Sequence, residues 1–95
     1  MNDILLKLDT AKRYYILAQP KFPRFKRNLS LLYKCANLYY EIALFYININ
    51  SQIFRKYNLY AVSIYNQILR YKLRHSFKLQ IIDKIQNIAL QLRYL

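Results

Sequence analysis

Hydrophobic and polar positions alternate with a helical rhythm along most of this chain. The longest such pattern covers residues 28–54, where apolar side chains recur at steps of three or four. These positions are Leu31, Cys35, Leu38, Ile42, Phe45, Ile49 and Ile53. Side chains at this spacing lie along one face of an α-helix, so the pattern predicts a long amphipathic helix that buries this stripe.

The two ends of this helix are marked differently. At the start, Asn28 is a good cap, because its side chain can accept a hydrogen bond from an early backbone N–H. At the far end, uncharged polar residues within 48–52 interrupt the apolar rhythm. The helix therefore either ends there or bends and continues through Phe54, and we expect the chain to turn near residues 56–58.

Three other segments show the same periodicity. Residues 2–19 predict an amphipathic helix whose buried stripe includes Ile4 and Ala11. A third helix is expected to follow the turn at 56–58 and to stop near residues 74–76. The last helix is expected to run from about Lys78 to the end, with a broad isoleucine-rich face directed inward and a polar face that includes Gln80 and Lys84 directed to water.

The absence of glycine decides the fold class. Hairpins and sandwiches depend on glycine for the positive φ angles of their turns, whereas helices can end on Asn, Ser or a proline. We therefore predict an all-α fold, in which residues 28–95 form a three-helix up-down-up bundle. Residues 1–27 are predicted to supply an N-terminal amphipathic helix and a basic linker that contains Pro20 and Pro23.

The charge balance points to an anionic partner. Sixteen Lys and Arg residues face only four acidic residues, for a net charge of +12. Such a charge destabilises an isolated compact state through self-repulsion, so nucleic acid, an anionic membrane surface and an acidic protein all remain candidate partners. A transmembrane helix is not expected, because no stretch reaches the roughly 18 to 20 uninterrupted apolar residues that one needs.

The inventory of reactive side chains argues against an enzyme. Acidic residues are few, and the chain has one cysteine, Cys35, and one histidine, His75. Neither a disulfide framework nor a zinc site can be built from these. Cys35 lies on the apolar stripe and is expected to be a buried hydrophobe, while His75 is expected to be a solvated residue at a helix boundary. No catalytic residue and no metal ligand is predicted.

The linker between the first two helices is a candidate contact for an anionic partner. It combines four cations with two aromatic rings: Lys21, Phe22, Arg24, Phe25, Lys26 and Arg27. The cations suit phosphate groups, and the rings suit stacking on bases or insertion into a hydrophobic groove. The alternative is a solvated connector whose phenylalanines pack on the bundle.

Residue usage carries a further clue. Tyr, Ile, Leu, Asn and Lys dominate, and eleven tyrosines are present. Codons for Tyr, Ile, Asn and Lys are rich in A and T, which favours an AT-rich genome such as that of an organelle. The tyrosines are explained either by this codon bias or by half-buried contacts with a partner, for which an apolar ring with a polar tip is suited.

The segment 28–95 resembles the LYR-motif family. The resemblance rests on Leu32, Tyr33 and Lys34, where the family has Leu-Tyr-Arg, and on residues 68–72 with the closing helix that follows. Phe77 corresponds to a downstream phenylalanine of the family, or Leu69 takes that place. Members are small, basic, mitochondrial three-helix proteins that bind acyl carrier protein and serve respiratory complexes or iron–sulfur cluster synthesis.

The resemblance implies a function and a site. Tyr33 and Lys34 would lie where the acyl-phosphopantetheine arm of an acyl carrier protein enters the bundle, and Arg70 and Arg74 would face the acidic carrier. The chain would then be a non-enzymatic accessory subunit on the matrix side of the mitochondrial inner membrane, most naturally in respiratory complex I. Two alternatives stay open: an organellar ribosomal protein that binds rRNA, and a protein bound peripherally to a membrane.

Overall fold

The computed structural model describes residues 2–20 and 27–93, which form four α-helices and contain no strand. The helices are α1 (Asn2–Ala18), α2 (Leu29–Tyr46), α3 (Ser51–Leu69) and α4 (His75–Arg93). The prediction of an all-α fold is confirmed. None of these helices is both long enough and apolar enough to span a bilayer.

Asn28 begins α2 as its sequence position predicts. Its backbone is extended, and its side-chain Oδ1 accepts a hydrogen bond from the Leu31 N–H at 3.2 Å. The Asn28 N–H donates in turn to the Ala18 carbonyl at 2.8 Å, which brings the last residue of α1 next to the start of α2. This hydrogen bond therefore holds the two ends of the linker close together.

The α2–α3 turn lies earlier than expected. Helix α2 ends at Tyr46, and Asn50 starts α3 by accepting hydrogen bonds from the N–H groups of Gln52 and Ile53 at 3.0 and 3.1 Å. Of the polar residues within 48–52, Asn50 therefore caps α3, while α2 has already ended at Tyr46. The expected turn at residues 56–58 is wrong, because that segment lies inside α3.

The end of α3 and the start of α4 also differ from the predicted positions. Helix α3 stops at Leu69, several residues before the expected end near 74–76, and the Arg70 N–H closes it by donating to the Gln67 carbonyl. Helix α4 begins at His75 rather than at Lys78. His75 is exposed at this helix boundary, as predicted.

The buried face of α2 differs in part from the predicted stripe. Cys35 and Ile42 are fully buried as expected, but Phe45 and Ile49 are exposed. The full buried set of α2 is Leu32, Cys35, Ala36, Tyr39, Ile42 and Ala43. Helix α2 packs against α1 as well as α3, so it buries a broad face in its middle rather than one narrow stripe along its whole length.

Pairs of contacts show which helix ends meet. Lys7 near the start of α1 forms an ion pair with Glu41 in the second half of α2, at 3.4 Å. Tyr39 in the middle of α2 stacks on Tyr57 in the first half of α3, with ring centroids 5.9 Å apart. The Tyr65 hydroxyl, late in α3, donates to Asn37 Oδ1. Late residues of α3 therefore lie beside earlier residues of α2.

One hydrophobic core joins all four helices. Its largest fully buried apolar side chains are Leu32, Ile42, Tyr65, Ile68, Ile81 and Ile88. Helix α1 adds Ile4, Ala11 and Ala18 to the same core. Burial raises the pKa of the Cys35 thiol to about 12, in keeping with its predicted role as a buried hydrophobe.

Candidate functional site

Tyr33, in the second turn of α2, lies where three helices converge. Its half-buried ring meets Phe77 of α4 edge-on, with centroids 5.1 Å apart and planes at 71°. It also meets Tyr65 of α3, with centroids 6.1 Å apart. Tilted and edge-to-face contacts of this kind are favourable for aromatic quadrupoles, so Tyr33 has a defined orientation between α3 and α4.

A cleft of about 230 Å³ opens beside Tyr33, between α2 and α4. We call it the Tyr33 cleft. It is lined by Tyr33, Tyr40, Gln80, Asp83, Lys84 and Asn87. The Lys84 ammonium lies 5.8 Å from the centroid of the Tyr33 ring, within the range of a cation–π interaction. The cleft thus combines aromatic surface with one cation, Lys84, one carboxylate, Asp83, and two neutral amides.

Hydrogen bonds tie the side chains around this cleft to the helices. The Gln91 amide Nε2 donates to the Tyr40 hydroxyl at 3.2 Å, which joins α4 to α2. The Tyr65 hydroxyl donates to Asn37, and burial raises the pKa of Tyr65 far above its ordinary value. The fully buried Tyr65 therefore remains a neutral hydrogen-bond donor at every physiological pH.

The structure separates the three residues of the Leu32-Tyr33-Lys34 word. Leu32 is fully buried in the core, Tyr33 lines the cleft, and Lys34 is exposed. Adjacent residues point about 100° apart around a helix, so three consecutive side chains cannot share one face. Only Tyr33 of this word contributes to the cleft.

Arg70 and Arg74 flank the loop between α3 and α4, and both are exposed. Arg70 lines a different cleft, of about 510 Å³, which it shares with Arg27 and Gln67. The Arg27 guanidinium donates to Gln67 Oε1, which ties the end of the linker to α3. Arg74 lies just before α4, where its carbonyl accepts from the Lys78 N–H at 3.0 Å.

Cations gather at one end of the molecule, which we call the basic end. It contains the start of α2, the end of α3, the following loop and the start of α4. Its cations are Arg27, Lys34, Arg70, Lys72, Arg74 and Lys78. No acidic residue occurs in the sequence between Asp9 and Glu41 or between Glu41 and Asp83. The segments that form this end, residues 27–34 and 69–78, therefore contribute cations and no carboxylate.

Most of the candidate linker contact lies outside the described residues. Of the linker residues named above, the structure describes Arg27, while the predictions for Lys21, Phe22, Arg24, Phe25 and Lys26 fall within the segment 21–26 that it does not describe. Arg27 is partly buried and bonded to Gln67, so its guanidinium already has one internal partner.

The polar side of the cleft lies on the face of α4 that the sequence predicts to be polar. Gln80 and Asn87 are exposed, as expected for residues that face water, and together with the half-buried Lys84 they also line the cleft against α2. They follow Phe77 at steps of three and four, so the sequence does place them on one face with that ring. The sequence does not indicate, however, that α2 is the helix against which this face of α4 lies.

The remaining tests of the site are negative. Within residues 2–20 and 27–93, no group of three His, Cys, Asp or Glu side chains is close enough to hold a metal ion. Comparisons with models of known families, with characterised proteins and with solved structures find no significant match to this chain. Functional inference therefore rests on the Tyr33 cleft and the basic end.

Proposed function

We propose that this chain is a non-enzymatic accessory subunit of a mitochondrial respiratory complex, with complex I the first candidate. It would dock an acyl carrier protein, or a neighbouring acidic subunit, through the Tyr33 cleft and the basic end. The proposal treats residues 28–95 as an up-down-up bundle and α1 as an amphipathic docking helix. The observation that carries it is the cluster of Tyr33, Phe77 and Lys84 on adjoining helices.

The chemistry of the cleft suits a phosphopantetheine arm. Such an arm has a phosphate at one end, amides along its length and an acyl chain at the other end. Lys84 offers a cation for the phosphate, Gln80 and Asn87 offer amides, and the Tyr33 ring offers apolar surface. A concave site with a few convergent polar groups is typical of small-molecule recognition.

The basic end supports an acidic macromolecular partner. Four of its cations, Arg70, Lys72, Arg74 and Lys78, are exposed around the α3–α4 loop, next to the cleft between α2 and α4. Complementary charge raises the association rate and sets orientation more than it raises affinity. Arg70 and Arg74 would therefore guide the carrier, while contacts in the cleft would hold its arm.

Binding assays on matched variants test this proposal. We expect Lys84→Gln and Tyr33→Ala to weaken association with acyl-loaded carrier protein about tenfold or more, as expected when a central contact is truncated. Arg55→Gln, an exposed cation on α3 outside the cleft and the basic end, should leave binding unchanged. Circular dichroism establishes that each variant is folded. Unchanged carrier binding by both folded cleft variants would contradict the proposal.

The basic end also supports a second function, that of an organellar ribosomal protein that binds rRNA. Clustered cations without intervening acids suit a phosphate backbone. Affinity for rRNA should then fall steeply with salt and depend on Arg70, Lys72 and Arg74 but not on Tyr33. Co-sedimentation with ribosomal subunits, combined with no binding to carrier protein, would favour this function over the first.

A further inference from the structure

The end of the molecule at the α2–α3 turn differs from the basic end in its charge and its polarity. Residues 42–54 contain no charged side chain. Four large apolar residues are exposed there: Leu44 at 37%, Phe45 at 39%, Ile47 at 37% and Ile49 at 66%. We call these four residues the apolar tip. Large apolar side chains that are exposed close together, rather than buried in the core, are typical of an interaction surface.

Helix α1 extends this surface. The Lys7–Glu41 ion pair holds the start of α1 beside the second half of α2. Leu5 and Leu6, which flank this region, are both more than half exposed. At this end of α1, Ile4 is buried in the core, and the two leucines that follow it face outward.

Most backbone donors of the turn have hydrogen-bond partners. The Ile47 N–H donates to the Leu44 carbonyl at 3.3 Å, and the N–H groups of Ile49 and Asn50 donate to the Tyr46 carbonyl at 3.0 and 2.9 Å. The Asn50 side chain satisfies the first free N–H groups of α3. Insertion of this turn into an apolar layer would therefore leave few backbone donors unpaired.

Cations lie one turn behind the tip. Arg55 and Lys56 are exposed on α3, about 6 Å along the helix axis from Ser51. They line an open groove of about 520 Å³ together with Ser51, Gln52, Leu59 and Tyr60. The Lys56 ammonium lies 5.5 and 5.8 Å from the ring centroids of Tyr57 and Tyr60.

We propose that the apolar tip inserts into the surface of a bilayer containing anionic phospholipids, with Arg55 and Lys56 binding the headgroup phosphates. The order of groups along this end, apolar first and cationic one turn behind, matches the order of acyl chains and phosphates in a bilayer. The spacing also matches interfacial insertion, which reaches about 5 to 10 Å below the headgroups. Tyr57 and Tyr60 supply the amphipathic rings that are common at this depth.

This inference deepens the proposed function, since a respiratory complex lies in a membrane, but shares no residue with the Tyr33 cleft. A lipid surface fits this end better than a protein or a second copy of the chain does, because the charge-free run 42–54 suits the acyl layer while the exposed Arg55 and Lys56, one turn along α3, suit the phosphates. A failure here would leave carrier binding by the Tyr33 cleft untouched, and a failure of carrier binding would leave this test intact.

A tryptophan reporter tests insertion directly, because the chain contains no tryptophan. Phe45→Trp should show a blue-shifted emission on addition of vesicles of phosphatidylcholine mixed with phosphatidylglycerol. Pure phosphatidylcholine vesicles should give a smaller shift. Leu79→Trp, at an exposed leucine on α4, is the matched control and should show no shift. Equal shifts at both positions, or none at residue 45, would overturn the inference.

Flotation with the same vesicles tests the residues involved. Replacing Ile47 and Ile49 together with Asn should lower the partition coefficient about tenfold or more, because lipid binding scales with buried apolar area. Arg55→Gln with Lys56→Gln should remove the preference for anionic vesicles, whereas Leu79→Asn should change nothing. Dimers that dissociate in the Ile47/Ile49 variant, without vesicle binding by the unaltered chain, would assign the tip to self-association and overturn the inference.

Discussion

The rings of Tyr33 and Phe77 meet edge to face, with centroids 5.1 Å apart, and so join the second turn of α2 to the first turn of α4. The contact lies beside the cleft, which Tyr33 lines, and joins α2 to the helix that carries Lys84. We expect this pair to contribute to the stability of the fold, and this contribution can be measured separately from carrier binding.

The stability contribution of this pair is accessible through a double-mutant cycle. We expect Phe77→Ala and Tyr33→Ala each to lower the free energy of unfolding, with a coupling energy of about 0.5 to 1.5 kcal/mol between the two rings. Urea denaturation of the two single variants and the double variant gives this coupling. Tyr33→Phe keeps the ring and should leave most of it intact. A coupling indistinguishable from zero would mean that the contact does not hold α4 in place.

Asn58 offers a stabilising substitution. Its side chain on α3 is fully buried, and neither amide atom has a hydrogen-bond partner among the described residues. An unsatisfied buried polar group costs about 1 to 3 kcal/mol, so Asn58→Leu should raise the urea midpoint. Asn66→Leu, at an exposed position on the same helix, should change it little. A lower midpoint for Asn58→Leu would show that the amide is satisfied by another group.

The cap of α3 should be measurable in the same assay. Asn50 accepts hydrogen bonds from Gln52 and Ile53, so Asn50→Ala should lower the free energy of unfolding by about 1 kcal/mol. Asn48→Ala, in the same turn but outside the cap, is the control. Equal effects of the two substitutions would mean that the turn does not depend on this cap.

We expect the free energy of unfolding to fall at alkaline pH because of the buried thiol of Cys35. Burial raises its pKa to about 12 in the folded chain, against about 8.5 in an unfolded one. Between these values the unfolded state binds fewer protons than the folded state, so the free energy of unfolding falls as pH rises above about 8.5. Tyr39 adds to the fall above about pH 10, because burial also raises its pKa to about 12.

Comparison of the unaltered chain with Cys35→Ala separates the thiol from the tyrosines. The variant should be less stable at neutral pH, because it leaves a small cavity, but should lose less stability between pH 8 and pH 10. Urea midpoints at the two pH values give the slopes. Identical slopes would show that the thiol does not titrate with unfolding.

Much of the secondary structure follows from local pattern. Steps of three and four between apolar residues are enough to identify helices, and Asn28 is recognisable as a cap because capping involves neighbours in sequence. The burial of Cys35 follows from its place on the stripe of α2. Local pattern did not decide where α2 ends, because the turn at 47–50 interrupts the charge-free run 42–54 without glycine or proline.

The sequence by itself determined that the chain is helical, basic and poor in reactive side chains, since these are properties of composition and of neighbouring residues. Only the tertiary structure decided that Tyr33 meets Phe77 and Lys84 while Leu32 is buried and Lys34 points away. It also decided that cations gather at one end and exposed apolar residues at the other. The physical reason is that these relationships depend on which helix faces pack together, and packing between distant segments leaves no mark in local periodicity.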